Sequence, residues 1–108
     1  MYSREDLLVL TTDYFTVIEF HVDHLIVKSN NSGHTWAMYQ TKDNCIMLMH
    51  KHRDSDKFHI QGGYKYLSDS IMDCVTHDLY TIRGRRGPGR HAPGRTFVDD
   101  ILDIYQSA

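Results

Sequence analysis

The sequence predicts an α+β fold: an N-terminal helix, a four- to five-stranded antiparallel meander sheet, then two C-terminal helices separated by an Arg/Gly-rich loop. Three observations carry this. The apolar period is helical at the start, switches to two over residues 15–61, and returns to helical spacing after residue 67. Turn-forming clusters cut the middle into short pieces. At 108 residues, with 41% hydrophobic and 24% charged residues, the chain has the size and composition of one folded domain.

The first helix opens at Ser3, with Asp6 three residues on, as in a capping box. Tyr2 and Leu7 have the spacing of a hydrophobic staple, and Leu7, Leu10 and Tyr14 form a stripe. This helix is expected to end near Asp13 or Tyr14. In "FTVIEFHV" the apolar Ile18, Phe20 and Val22 alternate with Glu19, His21 and Asp23, as in a strand with one wet face. The alternation slips at Leu25–Val27, so a tight turn or bulge is placed near Asp23–His24. "NNSG" turns the chain at 30–33. "HTWAMYQ" follows, with Trp36 and Met38 on one face and Ala37 and Tyr39 on the other. "TKDN" turns again. In "CIMLMHKH", Ile46, Leu48, His50 and His52 oppose Met47, Met49 and Lys51. "RDSD" leads to the short strand "KFHIQ", which the Gly62–Gly63 pair is expected to end.

The second helix is expected to be capped by Ser68, to bury Ile71, Val75 and Leu79, and to end before Tyr80–Ile82. A third is expected from Thr96, with Phe97, Ile101, Ile104 and Tyr105 on one face and Asp99, Asp100 and Asp103 on the other. The expected organisation is an α+β domain over 1–82, a flexible linker over 83–95, and a C-terminal amphipathic helix over 96–108. That helix docks on its own domain or on a second copy.

Net charge is −2, unevenly spread: −4 over residues 1–82, +5 over 83–95 and −3 over 96–108. The balance excludes a generally polyanion-binding domain and makes the cationic patch local. "RGRRGPGRHAPGR" sets Arg83, Arg85, Arg86, Arg90 and Arg95 among four glycines and two prolines. Arginine forks match phosphate oxygens, and glycine admits close backbone approach. Single-stranded nucleic acid, an acidic protein surface or nothing at all are the alternatives for this segment. From Gly84 to Arg95 the chain spans up to about 40 Å. The final helix, with Phe97, Ile101, Ile104 and Tyr105 as its contact face, can therefore reach a partner copy in a homodimer.

Histidine supplies the chemistry-bearing candidates. His50 and His52 share a strand face two residues apart, with His59 on the adjoining strand; imidazoles so placed can share a zinc ion. His34 follows Gly33 and precedes Trp36, a position for a general acid/base in metal-independent RNA cleavage. On Gly33 and His34, the layout resembles that of small toxin ribonucleases with a double-stranded-RNA-binding-like αβββα core. This chain has more strand material and one more helix, and no family membership follows. His21 and His24 flank Asp23, a favourable neighbour for a charged imidazole. The two cysteines, Cys45 and Cys74, form no CxxC and are expected as buried thiols in a reducing compartment. No signal-peptide pattern or membrane-length apolar run is present.

The expected function is a small cytoplasmic binding or interaction module, of bacterial or phage format, non-catalytic and needing no cofactor or membrane. Its contact elements are the basic loop and the C-terminal helix. The alternatives are a ribonuclease centred on His34 and a metal-binding protein using His50, His52 and His59.

Overall fold

The computed structural model describes residues 1–82. Over these it has an α+β architecture. Helix α1 spans Arg4–Leu10, and strands β1 Phe15–Phe20, β2 His24–Ser29, β3 Thr35–Gln40, β4 Ile46–Lys51 and β5 His59–Tyr64 follow. Helix α2 is Leu67–Ile82. The strands form one antiparallel sheet in the order β1-β2-β3-β4-β5. The expected third helix, and the 83–95 and 96–108 segments, lie outside the described residues. No helix among the described residues is long and apolar enough to cross a membrane.

Ser3 caps α1 as expected. Its hydroxyl accepts from the Asp6 amide at 3.2 Å, and the Asp6 carboxylate accepts from the Ser3 amide at 2.9 Å. The helix ends at Leu10, earlier than the expected Asp13 or Tyr14. Thr11 and Thr12 each turn a hydroxyl back onto the Leu8 and Val9 carbonyls at 2.7 Å, which closes the last turn. The expected stripe is also revised. Leu7 and Leu8 are 41% and 60% exposed, while Tyr14, beyond the helix, is buried. Tyr2 stacks on Phe20 of β1 with ring centroids 4.7 Å apart.

Turn chemistry sets the sheet register. β1 and β2 join through Val22–Asp23, with the His21 amide donating to the His24 carbonyl at 2.9 Å. The slip in alternation comes from β1 itself. Val17 pairs with Val27 and Glu19 with Ile26, so Ile18 is the extra residue of a bulge. The apolar run expected to face the core is thereby split: Ile18, Phe20 and Val22 are 53%, 52% and 81% exposed. Between β2 and β3, the Ser29 hydroxyl accepts from the Asn31 and Ser32 amides, and Gly33 adopts φ +77°, a region closed to most side chains. Between β3 and β4, the Thr41 amide donates to the Cys45 carbonyl at 2.8 Å. β5 runs through Gly62–Gly63 instead of ending there.

One sheet face carries Leu25 and Val27 of β2, Trp36 and Met38 of β3, and Ile46 and Leu48 of β4, all buried. The facing assignments expected for β3 and β4 are those observed. The first compact unit is Met1–Ser70, and Ile71 begins the second, of which residues 71–82 are described. In that helical stretch Ile71, Cys74, Val75 and Leu79 are buried, and helical geometry continues through Tyr80–Ile82. α2 starts at Leu67, so Ser68 lies in its first turn and is not its cap. Both cysteines are free; Cys74 is buried and Cys45 half-buried. Burial, with the charges of Asp78 and Asp73, raises the Cys74 thiol well above its ordinary pKa.

At the β1–β2 hairpin, the His24 ring lies 3.0 Å from Asp23 Oδ1 and 3.0 Å from Glu19 Oε2. The hydrogen bond with Asp23, then that with Glu19, raises the His24 pKa. Because the folded value is the higher one, the stabilisation is complete below the ordinary histidine range. It is lost as pH rises through the raised value. Asp23→Asn is expected to move the His24 titration downward in a ring-resonance NMR titration. Leu48→Ala, deleting a fully buried side chain, is expected to cost about 2–5 kcal/mol in urea unfolding.

Candidate metal centre

The buried sheet face is apolar along most of its length but ends in imidazoles. Antiparallel register pairs Trp36 with His50 and His50 with His59, so β3, β4 and β5 set these rings side by side. Alternation along β4 brings His52 onto the same face as His50. His34 precedes β3 by one residue and shares the face of Trp36. The loop holds it: its amide donates to Ser32 Oγ at 3.2 Å, and its carbonyl accepts from the Ser29 amide at 2.9 Å.

One nitrogen from each of His34, His50 and His52 lies within 4.8 Å of the others. His50 is fully buried, His34 is 7% exposed and His52 is exposed, so the group grades from core to surface. His50 Nε2 lies 3.0 Å from His34 Nδ1, and His50 Nδ1 lies 3.4 Å from His59 Nε2. The His34 and His52 rings stack at 4.3 Å with 9° between planes, and the Trp36 indole stacks on His50 at 3.9 Å with 20°. Packed rings on paired strands have few rotamers left, which preorganises the nitrogens.

Two neutral imidazoles can face each other at 3.0 Å only with one proton between them. A tetrahedral zinc ion with Zn–N of 2.0–2.1 Å holds its nitrogen ligands about 3.4 Å apart. The His34–His50 pair therefore needs little movement to accept an ion in place of that proton. His50 would then keep its proton on Nδ1 and donate it to His59, the outer hydrogen bond that fixes a ligand's tautomer and orientation.

Sequence reasoning placed His50, His52 and His59 together and treated His34 separately. The structure brings all four together. His34 meets Nε2 of His50 beside His52, and His59 meets the other nitrogen of His50. The missed signal was the β3–β4 register, which sets His34 across from His52. The arginines at 83, 85, 86, 90 and 95, and Phe97, Ile101, Ile104 and Tyr105, lie outside the described residues.

His50→Ala removes a fully buried ring that is hydrogen-bonded on both sides and leaves partner nitrogens behind. It is expected to cost about 1–3 kcal/mol in urea unfolding, whereas the exposed His52→Ala should stay within about 0.5 kcal/mol. Comparison of the chain with protein-family models, with curated proteins and with solved structures finds no match.

Proposed function

We propose that this protein is a metal-binding module that takes a zinc-class divalent transition ion on His34, His50 and His52, with His59 orienting His50. The observation that carries the reading is the convergence of three imidazole nitrogens within 4.8 Å at the end of a buried sheet face. Neutral imidazole suits zinc, copper and nickel ions, and three nitrogens leave a tetrahedral ion one position for water or an incoming group. Burial supports the same reading. Buried rings held between paired strands keep their positions, so an ion can replace the proton shared by His34 and His50 without reordering them.

The ribonuclease alternative draws less support. His34 is 7% exposed and its Nδ1 is taken up by His50, an awkward position for a group that must touch a polymeric substrate.

Trp36 is the sole tryptophan and stacks on His50, so its fluorescence reports on this site. Titration with Co(II) is expected to quench it saturably, with zinc competing. His52→Ala should weaken the zinc competition at least tenfold without unfolding the protein, and His34→Ala/His52→Ala should abolish it. Quenching with unchanged affinity in the double variant would overturn the proposal.

A further inference from the structure

A second group of ligand-type side chains sits at the β1–β2 hairpin, on the sheet face opposite His34 and His50. Pairing makes the separation plain. His24, Ile26 and Lys28 alternate with Leu25, Val27 and Ser29, and only the latter set shares the face of Trp36. The bulge at Ile18 returns Glu19 to register with Ile26, on the face of His24. Without that extra residue Glu19 would point the other way. One donor atom from each of Glu19, His21 and His24 then lies within 4.8 Å of the others.

Three features make this more than a chance cluster. His24 Nε2 is 3.0 Å from Glu19 Oε2, an ion pair that needs only a few tenths of an ångström of opening to reach the separation of about 3.4 Å between two ligands on one tetrahedral ion. His24 Nδ1 is 3.0 Å from Asp23 Oδ1, so the second ring nitrogen already has the carboxylate partner that orients metal-binding histidines. The ring is also held from both sides, by His21 at 4.3 Å and Tyr39 at 5.1 Å. The backbone beneath is pinned by Tyr2, whose hydroxyl lies 2.5 Å from the His21 carbonyl and 3.0 Å from that of His24.

We infer that the β1–β2 hairpin is a second divalent-metal site, with Glu19, His21 and His24 as ligands and Asp23 positioning His24. Its donor set is two nitrogens and one carboxylate oxygen, the facial set that leaves coordination positions open to other ligands. Glu19 and His21 are exposed and His24 half-buried, so those positions face solvent and the ion exchanges freely with its surroundings. The ion takes the place of the proton on His24 Nε2, which is released. This inference stands apart from the buried site and does not depend on it.

Zinc itself is the probe. In wild-type protein at neutral pH, calorimetry is expected to give two ions per chain, and ring NMR should show the His21 and His24 resonances shifting. The His34→Ala/His52→Ala variant should retain one ion and those same shifts. His21→Ala should lose the hairpin ion while keeping zinc competition at Trp36, and Asp23→Asn should weaken hairpin binding by 10- to 100-fold. His21 and His24 signals that stay still while the Trp36-reported site fills would overturn this inference and leave the first proposal standing. Hairpin shifts without competition at Trp36 would do the reverse. Binding unaltered by His21→Ala would reduce the hairpin to incidental surface chelation and also overturn it.

Discussion

The register between β3 and β4 is the constraint on which the rest of this structure depends. Pairing of Trp36 with His50 follows from the Thr41–Cys45 turn, where Asn44 accepts φ 59°. A strand has a side-chain period of two, so a one-residue slip would send every inward group outward. Leu48 and His50 would leave the face that keeps Trp36 and Met38, and the three imidazole nitrogens would no longer converge. Fold and site are specified by one pairing. Apolar contacts along most of the strand hold the register, and the histidines at its end exploit it.

The same alternation divides the chemistry of the molecule between two faces. Odd-numbered residues of β2 and even-numbered residues of β3 and β4 build the inner face, where the candidate ligands are imidazoles. The opposite face receives His24 and, because of the bulge, Glu19. A buried group of imidazoles and an exposed mixed group of imidazole and carboxylate offer an ion different environments. The first excludes water on most sides, and the second keeps it close.

Much of the fold could be read from the residues because local signals agreed with one another. Ser3 with Asp6, the "NNSG" and "TKDN" turns, and the strict alternation of "HTWAMYQ" and "CIMLMHKH" each had one good solution. Failures occurred where local pattern and tertiary context diverged. Leu7, Leu10 and Tyr14 had helical spacing, but two threonine hydroxyls closed the helix before Tyr14 could join it. Ile18, Phe20 and Val22 alternated correctly, yet a bulge that no local signal announces takes Ile18 out of the alternation. The site was half legible. His50 and His52 share a face by parity alone, and His59 was within reach on the next strand. Adding His34 required the register across a hairpin, which turn composition suggests but only the packed core decides. His24 with Glu19 was hidden for the same reason as the bulge.

That bulge has one more effect. Among the described residues β1 ends the sheet, and its outer rim is flanked by greasy side chains at Val17, Ile18 and Phe20. A straight rim of this composition would recruit foreign strands and seed fibrous growth. The kink at Ile18 interrupts the even spacing such zippering needs, with Glu19 just beyond it as a charged guard. One inserted residue thus keeps a sticky border from propagating, so deleting it would endanger colloidal solubility before it endangered the fold.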